Sequence, residues 1–130
     1  MSEIGKKIWV FPDAYLPARG NPYKTSSVGD QYSHESLCIV NYSIIDANLN
    51  IDFLFEDKKP IENFKTIIGA KKSLHLRLDN ITVQGMNLPR EKPYSIILKS
   101  DINVVAQLSR LDTTSQFNSF MTVMGWGTNV

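Results

Sequence analysis

Apolar and polar residues alternate along much of the chain. Leu49, Ile51, Phe53 and Phe55 share one parity, and Asn48, Asn50, Asp52 and Glu56 the other, with Leu54 the exception. Period two is the signature of a half-buried strand. Leu74, Leu76 and Leu78 alternate in the same way with Ser73, His75, Arg77 and Asp79. Apolar runs at 8–11, 36–42, 64–68, 94–99 and 102–111 predict further strands, the last two separated by a tight connection at Asp101-Ile102-Asn103. The tail, 117–126, carries two signals. Phe117, Phe120, Met121 and Met124 sit at helical spacing, whereas Thr122, Val123 and the terminal glycines favour a strand, which is the prediction. Residues 17–31, rich in Pro, Gly, Asn, Ser and Thr, read as a long loop, either functional or a surface excursion. About eight short strands with turns between them, and no βαβ rhythm, predict an all-β, antiparallel, jelly-roll-like β-sandwich forming one domain over 1–130.

Composition agrees with a globular domain: 42% of residues are hydrophobic and 21% charged over 130 residues. Net charge is +1, without the excess of a dedicated nucleic-acid or membrane-surface binder. One Cys and two His exclude a disulfide framework or a four-Cys zinc site from a single chain. No cofactor and no metal is expected. Cys38, within an apolar run, reads as a buried small hydrophobe. The start of the chain lacks a secretory pattern and no apolar run approaches the roughly 20 residues of a membrane span, so a cytoplasmic setting is expected.

Four polar groups stand out. Ser33-His34-Glu35 pairs a titratable ring with a carboxylate, the elements of a general base, although neighbours on a strand point to opposite faces. His75 and Arg77, two apart on a strand, share a face and suit an anion or a hydroxyl-rich ligand, or else a solvated sheet surface. In Gln107-Leu108-Ser109-Arg110-Leu111-Asp112, Arg110 falls on the apolar side and needs a partner, for which Asp112 is the nearest candidate. That pair is either structural or the floor of a pocket. Finally, residues 58–99 hold nine basic side chains against three acidic ones, a region to meet phosphates or simply soluble turns and strand edges.

Four blocks in order resemble the sensory rhodopsin transducer family: Ser33 to Asn41, Glu56 to Pro60, Ala70 to Arg77, and Gln107 to Asp112. The resemblance runs from the Trp9 region through Trp126. It implies a small antiparallel sandwich that assembles as a homotetramer, with a cytoplasmic namesake coupled to a seven-helix retinal photoreceptor. It also implies similarity to carbohydrate-binding sandwiches and, for the namesake, DNA binding. No catalytic activity comes with it. The polar set it carries over is His34, Glu35, Asn41, Arg77, Gln107, Arg110 and Asp112. Leu108 stands where relatives commonly have His, and Phe117 and Phe120 where they carry smaller or polar residues, giving a more apolar tail.

The expected function is a non-enzymatic cytosolic signalling or ligand-binding module. His34, Glu35, Arg77 and Arg110, supported by His75, Gln107, Asn41 and Asp112, would hold a sugar-like or anionic small molecule. Trp9, Tyr15 or Tyr32 would offer an aromatic platform. The alternatives are a protein- or DNA-binding adaptor using the basic 58–99 region, and a hydrolase-like enzyme using His34 and Glu35.

Overall fold

The computed structural model describes residues 3–25 and 29–130. Twelve strands follow one another with no helix among the described residues: β1 (Lys6–Tyr15), β2 (Tyr23–Thr25), β3 (Gly29–Gln31), β4 (His34–Asn41), β5 (Ala47–Phe55), β6 (Ile61–Ile68), β7 (Lys72–Arg77), β8 (Thr82–Val83), β9 (Met86–Asn87), β10 (Pro93–Asp112), β11 (Ser119–Met124) and β12 (Trp126–Thr128). Eight of these build the sandwich, all paired antiparallel; β2–β3 and β8–β9 are small separate hairpins. The all-β sandwich expected from the alternation is what the chain forms.

The organising element is β10, and it differs from the expected pair of strands. Residues 93–112 form one continuous strand of 20 residues. The parity shows why. Tyr94, Ile96, Leu98, Ile102, Val104, Ala106 and Leu108 are all buried and all on even positions, so the inward face never changes register. Asp101 does not turn the chain. Its Oδ1 accepts the Asn48 backbone N–H at 2.8 Å and its Oδ2 accepts the Asn48 side-chain amide at 2.8 Å. The first half of β10 lies between β1 and β5, with β12 and β6 outside them. The second half lies between β4 and β11, with β7 beyond β4. One strand thus belongs to both sheets.

The core fills the space between them, with Phe11, Leu37, Ile39, Ile51, Phe53, Ile96 and Leu98 among its most buried members. The second face of β4 is less enclosed than the apolar run suggested. Leu37 and Ile39 are buried, but Val40 is exposed and Cys38 only half-buried, because even positions of β4 face outward. Cys38 is therefore not a core residue.

The 17–31 segment is a loop followed by the β2–β3 hairpin, whose tip lies outside the described residues. The loop is anchored. Asn21 N–H donates to the Thr113 carbonyl at 2.9 Å and Ser33 N–H to the Arg19 carbonyl at 3.0 Å. Gly20 has φ +73°, and a Cβ there would lie 2.6 Å from the Thr113 hydroxyl, so the close approach requires glycine.

Candidate functional site

The eight expected site residues separate into three environments. The first is the interior. Glu35 and Arg110 stand directly opposite each other on β4 and β10, both on the inner face. Glu35 is fully buried. Its Oε2 accepts Arg110 Nε–H at 3.2 Å and the Tyr15 backbone N–H at 3.0 Å, and its Oε1 accepts the Tyr94 hydroxyl at 2.5 Å. Burial, reinforced by the Glu35 carboxylate, pushes the Tyr94 phenol up, so it remains the proton donor. The remaining Arg110 nitrogens reach the Asp13 carbonyl at 3.4 Å and the Met121 sulfur at 3.6 Å. Arg110 also lies 5.9 Å from the Tyr15 ring centroid. The cluster satisfies a buried carboxylate that would otherwise be costly.

Arg110 does have a carboxylate partner, but it is Glu35, not Asp112. Asp112 shares the parity of Arg110 but ends β10, and it accepts Thr114 N–H at 2.9 Å and the Thr114 hydroxyl at 2.6 Å. Its carboxylate caps the turn after β10. The nearest charge in sequence was the wrong choice because directly opposed residues on neighbouring strands lie closer than residues two apart along one strand.

The second environment is the framework. Asn41 is buried, and its amide donates to the carbonyls of Ile45, Ile68 and Gly69 at 2.9, 3.0 and 3.1 Å. Its Oδ1 accepts Ser43 N–H at 2.9 Å. All its polar capacity ties together the 42–46 turn and the end of β6.

The third environment is the outer face of the sheet β7-β4-β10-β11. Cross-strand register sets His75, Cys38, Gln107 and Met124 in one row, and Arg77, Ser36, Ser109 and Thr122 in the next. His34 lies on this face too, opposite Leu111 and, beyond it, Phe120. Gln107 donates to the Ser109 hydroxyl at 3.2 Å. Arg77 makes a two-pronged bond to Asp79 at 2.9 and 2.8 Å. His34 Nδ1–H donates to the Tyr32 carbonyl at 2.7 Å. His34 and Glu35 therefore point to opposite faces of one sheet, and the ring has no reach to the carboxylate.

The aromatic platforms fare unevenly. Trp9 is buried and donates its indole N–H to the Val104 carbonyl at 2.9 Å, so its face is closed. The Tyr32 ring is covered by the Arg19 guanidinium, 3.7 Å from its centroid. Tyr15 is half-buried beside Arg110.

Three residues not expected in the site complete the interior and its rim: Tyr94, Arg90 and Asp79. Arg90 donates from one nitrogen to the carbonyls of Pro17 and Ser33 at 2.7 and 3.0 Å, and its other terminal nitrogen is 3.8 Å from Asp79. Tyr94 looked like an ordinary apolar strand residue, and only the register of β1, β4 and β10 aims its hydroxyl at Glu35. Of the nine basic residues in 58–99, Arg77, Arg90, Lys92 and Lys99 carry acidic partners (Asp79 twice, Asp57 and Asp52). Asp52 and Asp57 lie outside the stretch, which is why its charge looked unbalanced. Among the described residues no three His, Cys, Asp or Glu side chains gather as a metal group.

The model of the family described as "Anabaena sensory rhodopsin transducer" matches residues 4–127, nearly the whole chain. The chain belongs to this transducer family. A structure of Thermotoga maritima 1070 is 42% identical, with 97% of each chain covered and a TM-score of 0.81. The Anabaena sensory rhodopsin transducer itself is 27% identical over 84% of this chain and 90% of that one, with a TM-score of 0.70. No curated protein matches. In this transducer-like β module, Leu108 is fully buried opposite Leu37 on the inner face. The position at which relatives were expected to carry His is thus a core position two residues from Arg110, remote from both His34 and His75 on the outer face. Among the described residues no helix is long and apolar enough to cross a membrane.

Proposed function

We propose that the chain is a non-enzymatic, cytosolic signalling module that works as a homotetramer and passes its signal through protein contacts, its partner being a receptor of the sensory rhodopsin kind. The supporting observation is β11. Among the described residues this edge strand pairs with β10 alone, and all six of its residues are exposed, on both faces. Phe120 is 68% exposed, Met124 54% and Val123 44%, with Phe117 at 78% and Trp126 at 65% on either side. An apolar strand with an unpaired backbone edge and two open faces is unstable against association, and burial in an oligomer or against a receptor resolves it. Light scattering tests the assembly. The wild type should weigh about four times 14.7 kDa. The Phe120→Arg/Val123→Arg variant should fall toward the monomer, because a charge on each face opposes both modes of burial. A wild type that stays monomeric at all concentrations overturns the assembly.

A second reading, a small anionic or sugar-like ligand, rests on the outer-face row. His75 and Gln107 line a depression of about 190 Å³ with Arg77 in the adjoining row. A panel of sugars, sugar acids and nucleotides should raise the melting temperature for at least one member, and His75→Ala/Gln107→Ala should remove that rise. A panel without any shift ends this reading.

A further inference from the structure

Two turns meet at one end of the sandwich, 42–46 between β4 and β5 and 69–71 between β6 and β7. They are locked together. Buried Asn41 ties the carbonyls of Ile45, Ile68 and Gly69. The Lys71 N–H donates to the Ser43 carbonyl at 3.0 Å, and Asp46 Oδ1 accepts the Ala70 N–H at 3.0 Å. What this framework holds outward is apolar. Ile44 is 75% exposed, Tyr42 and Ile45 are exposed beside it, and Ile67 is exposed near the end of β6. Apolar side chains fixed together in water mark an interaction site. Three exposed lysines surround them. Lys71 places its ammonium 3.5 Å from the centroid of the Tyr42 ring, Lys72 follows it, and Lys65 shares the face of Ile67 on β6. None of the three has an acidic partner among the described residues. The carboxylates of this end, Asp46 and Asp101, are short and hydrogen-bonded to backbone N–H groups, so they stay close to the chain while the lysine stems carry their charge outward.

We propose that this tip docks on an anionic lipid surface, with Ile44 and Ile45 entering the headgroup region and Tyr42, Lys65, Lys71 and Lys72 at the level of the phosphates. Exposed aliphatic residues ringed by lysine, with a tyrosine at the polar boundary, match the chemistry of a membrane interface. A protein partner matches it less well. Protein interfaces are enriched in Arg and depleted in Lys, and the tip holds Lys and no Arg. The contrast lies within the molecule, since β11 carries Phe and Met with Trp126 beyond it. A net charge of +1 over the whole chain does not register so local a patch.

Co-sedimentation of the full chain with lipid vesicles tests the docking. Phosphatidylcholine vesicles containing phosphatidylserine should carry down the wild type, pure phosphatidylcholine should carry down much less, and added salt should release the protein. Ile44→Ser/Ile45→Ser should bind at least about tenfold more weakly, and Lys65→Gln/Lys72→Gln about twentyfold more weakly. All four positions are exposed, so both variants should melt close to the wild type. In Ile44→Trp, the added fluorescence should shift to the blue on anionic vesicles and be quenched by brominated acyl chains, a readout that depends on no loss of binding. Undiminished binding by Ile44→Ser/Ile45→Ser overturns the proposal, since another surface such as the β11 edge is then the contact. Equal binding to the two vesicle types overturns it too. Absence of vesicle binding overturns it in favour of a protein partner at the tip.

Discussion

Glu35 is tied down through both its side chain and its backbone. Its fully buried carboxylate accepts from Arg110, Tyr94 and the Tyr15 N–H, and its backbone carbonyl accepts the Leu78 N–H, so it is held from β10, from β1 and from the segment after β7. Removing one partner of a buried ion pair leaves the other charge without compensation, which costs about 3–5 kcal/mol, whereas replacing both by apolar groups of similar volume is often neutral. Glu35→Ala should therefore lower the urea-unfolding free energy by about 3 kcal/mol or more, while Glu35→Leu/Arg110→Met should recover most of it. Equal losses in the two proteins would mean that packing, not charge compensation, governs the site. The sequence identified both residues as notable but not as partners. Glu35 and Arg110 are 75 residues apart, and their adjacency exists only once β4 and β10 are in register. Asn41 shows the opposite case. Expected to serve a ligand, it instead donates its amide to three backbone carbonyls, which closes the 42–46 turn against β6.

At the scale of the element, β10 decides how the two sheets relate. Its first half ends with Ser100 opposite Leu49, and its second begins with Val105 opposite Val40. Asp101 sits at the passage and clamps the start of β5 through Asn48. Its slight burial raises its pKa, but the Asn48 side-chain and backbone N–H bonds outweigh that, and the net shift is downward. A carboxylate whose folded pKa is depressed contributes stability that is present above its unfolded value, near ~3.9, and is lost as pH falls through the lower folded value. Asp101→Asn should therefore melt below wild type at pH 6, and the gap should close as pH falls toward about 3. Thermal melts across that range check it, and a gap independent of pH would remove the carboxylate's charge from the account. The reading of Asp101-Ile102-Asn103 as a turn followed residue type alone. The even-parity burial from Tyr94 to Leu108 was already in the sequence and pointed to continuity.

At the scale of the whole molecule, different chemistries occupy different faces. The interior holds the Glu35–Arg110 cluster, the outer face of β7-β4-β10 carries Cys38, His75 and Gln107, and β11 presents apolar side chains on both sides. Gly125 makes the turn from β11 into β12 beneath Phe11, where a Cβ would meet the ring at 2.7 Å. Through it the exposed strand is braced against β1, which pairs with β12. An apolar edge already held as a strand is suited to recognition because less backbone ordering is lost on binding. Phe117 and Phe120, picked out in the sequence as more apolar than expected, lie in this exposed region.

The amino-acid sequence by itself determined the fold class, the inward and outward faces of β5, β7 and β10, and the family, because two-residue alternation is local and the matched blocks are contiguous. It also separated His34 from Glu35, since adjacent strand residues must face apart. Tertiary structure alone decided which polar residues meet. Arg110 faces Glu35 and not Asp112, Tyr94 joins them, Asn41 becomes framework, and Cys38 leaves the core to share a row with His75 and Met124. The reason is that alternation specifies the face of each strand but not its neighbours. Neighbours follow from register and sheet order, which the whole chain settles together by burying its apolar faces.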